Sequence, residues 1–324
     1  MTTKIGLRRN LLNYFAWIAG QFTSADLSIF HEFEPPPAGG GHQFLRALMR
    51  HAETRGLRIE NNMISRTTRA CLFNSFNFDE KRLLRTRRDS VLYVHRVDGP
   101  IDVYRGWDGG VDRGIHAVNQ KVAEKSIFQS RYSLEKHLEL GMEFRNPVVI
   151  MNAADPEIFN PQEKVPFSHD RKTRLIAASW SRNINKGASV YQWLDENLDW
   201  DRFEFTFVGQ SPIQFKNIQM IPPVDSYKLA TLLREHDVYI TASRNDPCSN
   251  SLIEALTCGL PAVYFQSGGH PEIVKQAGAG FEAAEQVPGL LQRVVGQYEA
   301  FQSRIDLPSI QEVCDDYLKV LELF

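Results

Sequence analysis

The chain has 324 residues, 43% apolar and 23% charged, and its 37 basic and 39 acidic side chains leave a net charge of −2. That length suits two domains of ordinary size and that composition a globular chain, while the near-balanced charge supplies no field to draw it to nucleic acid. The four cysteines, Cys71, Cys248, Cys258 and Cys314, lack CxxC spacing, which argues against zinc or a disulfide framework and fits a reducing cytoplasm; no apolar run has bilayer length, and the start shows no secretory cleavage pattern.

Residues 4–22 carry Leu7, Leu11, Phe15, Ile18 and Phe22 at helical spacing. This stripe either packs on the core or lies on a membrane surface. Residues 27–33 read as a first strand. Pro35-Pro36-Pro37 breaks it, and Gly39-Gly40-Gly41 precedes a helix beginning at His42. Strand, glycine turn and helix start make an anion cradle from Gly40 and Gly41, or simply a loop. The full dinucleotide fingerprint with its downstream acid is missing, so a nicotinamide cofactor is not expected. Lys81, Arg82, Arg85, Arg87 and Arg88 form a basic run, either a solvated helix face or a dock for anionic headgroups.

Residues 91–100 read as a buried strand ending in polar groups, His95 and Asp98 among them. Open sheets place functional side chains at such ends, so His95 is a candidate ligand contact with Asp98 orienting it or an acceptor; the rival reading makes His95 a structural strand-end histidine. The loop that follows sets Trp107 beside Asp108 and Asp112; an aromatic face next to carboxylates suits a sugar acceptor. Residues 160–174 are proline-rich and charged, a linker with the domain boundary placed near Ser168. Residues 175–179 open a second domain as a strand, with Arg182 and Lys186 in the loop after it. Strands at 203–208 and 218–224 and a helix at 227–235 follow.

Residues 238–242 are a buried strand, Asp246 stands in a polar elbow, and a helix carries Leu252, Ile253, Ala255 and Leu256 until Gly259 and Pro261 stop it. Asn250 and Glu254, four apart, share the opposite helix face. Free amides at Ser249, Asn250 and Ser251 suit a phosphate, Glu254 can accept from ribose hydroxyls, and Asp246 faces what the phosphates carry. The rival reading makes Asp246 a helix cap before Pro247 and Glu254 a solvated carboxylate. A strand at 262–265, a turn at Ser267-Gly268-Gly269, a helix opened by Pro271, and helices at 289–302 and 309–323 complete the chain.

Asp246, seven residues, Glu254-Ala255, then Cys258-Gly259-Leu260-Pro261 and Gly268-Gly269-His270-Pro271-Glu272 together resemble the signature of the retaining glycosyltransferases of family 4, the glycosyl transferases group 1. The departure is Asp246, where the family has Glu. The resemblance implies two Rossmann-like α/β domains facing a cleft, the GT-B arrangement, divided here as 1–167 (with 1–25 an N-terminal helix), 168–305, and a helix at 306–324 crossing back. It implies donor diphosphate held by Arg182 and Lys186, ribose by Glu254, donor sugar by Asp246 and His95, and a glycine loop at Gly40 and Gly41 near phosphate and acceptor. Residues 148–159 resemble the segment that closes the family's first domain.

The expected activity is retaining transfer of a sugar from a nucleotide diphosphate sugar to a hydroxyl acceptor, in polysaccharide, glycolipid or glycoconjugate synthesis. Two cations and a helix dipole would stabilise the leaving diphosphate. No metal is expected, nor any cofactor beyond the substrate. The setting would be cytoplasmic, with peripheral membrane contact through 4–22 and 81–88. Rival readings are a nucleotide-sugar epimerase of similar fold, a catalytically weak sugar-nucleotide binder, and a peripheral membrane scaffold.

Overall fold

Apolar strands alternating with amphipathic helices pair in parallel, because each return crosses a face of the sheet through a helix. The computed structural model describes residues 23–35, 40–107 and 109–324, where this alternation builds two six-stranded sheets. The segment 4–22 and Asp108 lie outside the described residues. The first sheet contains β1 (Leu27–Phe30), β2 (Ile59–Asn61), β3 (Ala70–Asn74), β4 (Leu92–Val97), β5 (Lys125–Phe128) and β6 (Pro147–Val149), in the order β2-β1-β3-β4-β5-β6. The second contains β7 (Thr173–Ser179), β8 (Phe203–Gly209), β9 (Gln219–Ile221), β10 (Val238–Thr241), β11 (Ala262–Phe265) and β12 (Gly278–Phe281), in the order β12-β11-β10-β7-β8-β9. Every pairing is parallel.

These orders fix where ligands fit. Strand order reverses between β1 and β3 in the first sheet and between β7 and β10 in the second. The loops leaving the two strands at such a point run in opposite directions and leave a crevice at their carboxyl ends. The two crevices face each other across the gap between the lobes.

Each sheet is covered on both faces. In the first lobe, Leu27, Ile29, Leu72 and Val94 pack against Phe44, Leu45 and Leu48 of helix Gly40–Thr54. Helix Ile310–Val320 joins the same core through Ile310, Val313, Cys314, Tyr317 and Leu318, so the chain's end returns to the first lobe. Ser309 and Glu312 start that helix with a reciprocal capping box. Ile158 and Phe159, in the connection between sheets, pack with Ile176, Leu229 and Leu252 in the second lobe, ahead of the expected boundary at Ser168. The helix expected over 289–302 is two, Val287–Gly296 and Tyr298–Gln302, because Gln297 leaves helical geometry at φ −132° and ψ 37°. Among the described residues no helix is long and apolar enough to cross a membrane.

Tyr317 is fully buried in the first-lobe core, so Tyr317→Ala is expected to destabilise the chain by about 3–5 kcal/mol. Urea unfolding followed by tryptophan fluorescence measures this; an unchanged midpoint would mean that the final helix contributes nothing to the core.

Candidate active site

Loops from both lobes bring polar side chains to the facing crevices. In the second lobe the chain leaves β7 at Ser179 and reaches Lys186 in a short 3₁₀ turn, while it leaves β10 at Thr241 and reaches Asp246. The two meet across the switch point, with Lys186 Nζ 2.7 Å from Asp246 Oδ2. Both line a cavity of about 420 Å³ between the lobes. Burial works against the charge on Lys186, but Asp246 and the Tyr104 ring, 5.0 Å from Nζ, outweigh it and hold its pKa above the usual lysine range. Burial likewise opposes ionisation of Asp246, and Lys186 more than offsets it, so the carboxyl lies below its ordinary value. The pair is a fixed cation and anion at neutral pH.

Helix Asn250–Thr257 points its start into the same cavity, which Ser249, Asn250, Ser251 and Glu254 line. Ser249 occupies the cap position without a side-chain bond to the helix amides, so the first amides have no cap from it. One turn further in, Glu254 is buried, and that burial alone raises its pKa to about 8. It is a neutral carboxyl there, able to donate one hydrogen bond and accept others. The elbow before the helix is held by close backbone approach. Gly268 has φ +66°, and a Cβ on it would strike the Asp246 carbonyl, while Gly269 N donates to that same carbonyl at 2.9 Å. This is the physical need behind the glycine pair of the signature.

From the first lobe come Gly40, Gly41, His31, His42, Asn74, Arg96 and Asp98. Gly40 approaches the second lobe so closely that a Cβ would overlap Asn250. Arg96 is wholly buried, and its guanidinium donates to Asn152 Oδ1 at 3.0 Å and sits 3.3 Å from Asp98 Oδ1. Asn152 in turn donates to Gln129 Oε1 and to Asn250 Oδ1, at 3.0 and 2.9 Å. A continuous polar network thus joins the first sheet, the connecting segment and the start of the signature helix. Glu272 adds a second bridge between lobes: its carboxylate accepts from the Arg131 and Tyr132 amides at 2.8 Å each, capping helix Arg131–Glu139.

Of the residues expected at the site, the cavity gathers Gly40, Gly41, Asp98, Lys186, Asp246, Ser249, Asn250, Ser251 and Glu254. Asp108 is outside the described residues, and His95, Asp112, Trp107 and Arg182 lie elsewhere. His95 lies within β4, stacks on Phe73 and contacts Ser75 Oγ and Asn119 Nδ2 at 3.2 and 3.1 Å; burial drops its pKa to about 3. It lines a neighbouring pocket that shares Phe76 and Asn77 with the cleft, not the cleft itself. Asp112 turns inward and accepts from the Ile101 and Asp102 amides at 2.8 and 2.9 Å, satisfying the start of helix Ile101–Arg105. Trp107 is 73% exposed and, like the exposed Arg182, stands outside the cavity lining. Of the basic run, Arg87 and Arg88 donate to the Lys121 and Ser65 carbonyls. His31, His42, Asn74 and Arg96 were not foreseen, although His31 directly follows β1 and Asn74 ends β3, where the strand-end rule applies. A larger cavity of about 770 Å³ lies behind the connecting segments, mostly apolar around Lys164; it lacks the convergent polar groups of the cleft.

Comparison with known proteins agrees with this geometry. The chain superposes on the structure of HepE from Anabaena, in complex with UDP and glucose, with a TM-score of 0.68 at 12% identity, covering 93% of this chain and 100% of that one. Sucrose-phosphate synthase from Thermosynechococcus elongatus gives 0.66 at 14% identity, over 92% and 95%. These likenesses define the fold as GT-B. Residues 214–295 match the family model described as glycosyl transferases group 1, and the signature's resemblance to that family is thereby borne out. The phosphatidylinositol N-acetylglucosaminyltransferase GPI3 subunit of Saccharomyces cerevisiae (strain YJM789) is 27% identical over 143 residues. That match takes in 39% of this chain and 32% of the relative, so the chain spans about a third of the curated protein it matches.

Glu254 gives a signed pH test. Unfolded, it loses its proton near 4.5; folded, it keeps it to about 8. The fold therefore binds Glu254's extra proton between those values, and the stability this group contributes falls as pH rises through that window and levels off above it. Glu254→Gln removes that contribution. Calorimetry should place its melting temperature ~3 °C or more above the parent at the upper end of the window and close to it at the lower end. An equal difference at both ends would contradict a buried, proton-bearing carboxyl.

Proposed function

We propose that the chain is a retaining glycosyltransferase that takes its sugar from a uridine diphosphate sugar and passes it to a hydroxyl acceptor. The observation that carries this reading is the pairing of half-buried Lys186 with buried Asp246 beside the uncapped start of helix Asn250–Thr257, in a cavity both lobes line. The choice of uridine rests on HepE, whose structure holds UDP and glucose.

Rupture of the bond between the anomeric carbon and the diphosphate leaves new negative charge on the departing oxygen. Lys186 and the helix amides meet it, preorganised and shielded from water. Glu254, one turn deeper and protonated, suits the ribose hydroxyls. Asp246, released in part when Lys186 turns to the phosphate, accepts from a hydroxyl of the transferred sugar. Asp246, engaged by that sugar hydroxyl and still beside Lys186, is a poor nucleophile. The acceptor oxygen instead attacks from the face the diphosphate leaves, and its proton passes to a phosphate oxygen. The products are the glycosylated acceptor, with its configuration retained, and UDP. Lys186 and the helix start supply the positive charge, so the transfer is proposed to run without a metal ion. Asp98 lies on the acceptor side, and Arg182, at the rim, is proposed to guide the diphosphate inward.

Release of UDP from UDP-glucose, with and without a panel of sugar and lipid-linked alcohols, tests this. Lys186→Ala is expected to lower kcat/KM by roughly a hundredfold or more. Arg182→Ala should cost under about tenfold, as befits an exposed charge, and a chelator should change nothing. Unaltered turnover in Lys186→Ala would remove the diphosphate assignment.

A further inference from the structure

Two histidines face each other on the first-lobe side of the cleft. His31 follows β1 and His42 begins the next helix; both are nearly buried, and both line the cavity. His31 Nε2 lies 2.8 Å from His42 Nδ1, and His31 Nδ1 lies 3.1 Å from Asn74 Nδ2. An amide nitrogen can only donate, so His31 Nδ1 accepts from Asn74 and its single proton sits on Nε2. That proton points at His42 Nδ1, which must accept it. The proton of His42 is thereby placed on Nε2, a nitrogen with no hydrogen-bond partner among the described residues.

Resting on the transferase reading of this cleft, we infer that His42 is a fixed, neutral N–H donor to an oxygen of the nucleotide-sugar donor, set in that tautomer by Asn74 and His31. The donor substrate is the better claimant than the acceptor because of position. Gly40, two residues before His42, packs directly on Asn250 at the start of the phosphate-binding helix.

The surroundings keep the pair neutral. Burial, then His42 and the nearby cations Arg96 and Arg46, drops the pKa of His31 to about 3, outweighing the Phe76 carbonyl that favours its protonation. Burial lowers that of His42 as well, against the pull of Glu34 and with the help of Arg46. A neutral donor differs from a cation in what it selects. It adds direction for one oxygen lone pair and no charge, complementing Lys186 across the cavity. His42 would touch substrate; His31 and Asn74 are positioning residues that act through it.

Nitrogen-15 NMR of histidine-labelled full chain reads the tautomer directly. Both rings should show the neutral Nε2–H pattern at pH 7. The His42 Nε2 signal should move on adding UDP if its partner is a diphosphate oxygen, or only with UDP-glucose if it is an oxygen of the sugar. His42→Ala should raise KM for UDP-glucose or lower kcat by about tenfold, the effect of one lost hydrogen bond. His42→Gln, which keeps a donor at similar reach, should recover most of that loss. An Nδ1–H pattern at His42, or a silent His42 signal while calorimetry shows both compounds bound, would overturn the inference and leave the transferase reading standing. Failure of both compounds to bind would sink the two together.

Discussion

A half-buried lysine paired with a buried aspartate is the constraint on which this molecule turns. Charges of that kind are expensive to bury, and losing one partner typically costs 3–5 kcal/mol in the fold because the other is left exposed to a poor solvent. Lys186 and Asp246 are brought together by topology: they leave β7 and β10, the two strands between which the second sheet reverses its order. The same reversal opens the crevice they occupy. Under the proposed function, an incoming diphosphate would offer Lys186 a second anion, and the pair would then divide its roles between phosphate and sugar. The shorter Asp at position 246 fits this arrangement, since it reaches Lys186 at hydrogen-bond distance.

The rest of the structure keeps the two crevices opposed. Arg96, Asn152 and Asn250 link the first sheet to the signature helix through buried hydrogen bonds. Glu272 caps a first-lobe helix from the second lobe, and Tyr132 donates to Asn245 beside the Asp246 elbow at 3.0 Å. The final helix, packed back on the first lobe, closes the chain. These bridges are polar, and Asn185 and Asn245 add more by donating to the Tyr104 and Val103 carbonyls, which suits lobes that hold a defined spacing and still admit a ligand.

The sequence made the second lobe's site readable because its residues follow a linear rule. Asp246, Asn250 and Glu254 belong to one strand, elbow and helix, so spacing translates into position, and the Gly268-Gly269 pair marks a place where backbone passes under Asp246. The first lobe was harder. Its β4 ends at Val97, so His95 remains within the strand and is covered by helices, while Asp98, one residue past the end, opens into the cleft. Apolar patterning locates a strand but not its last residue. Asp112 was drawn away by helix amides that needed an acceptor, and the His31–His42 contact joins a strand end to a helix start through a turn whose shape no spacing predicts. Arg182 and Lys186, four apart in one loop, looked equivalent; only three-dimensional placement separates a cleft cation from a rim one.

The central claim is that the Lys186–Asp246 crevice seats the diphosphate of a nucleotide sugar. A crystal structure with UDP bound tests it most directly. The account predicts a phosphate oxygen within hydrogen-bond distance of Lys186 Nζ, the helix amides at Asn250 turned to the other phosphate, and the ribose hydroxyls on Glu254. A nucleotide found outside this cleft, or a Lys186 still engaged by Asp246 alone with UDP present, would contradict it.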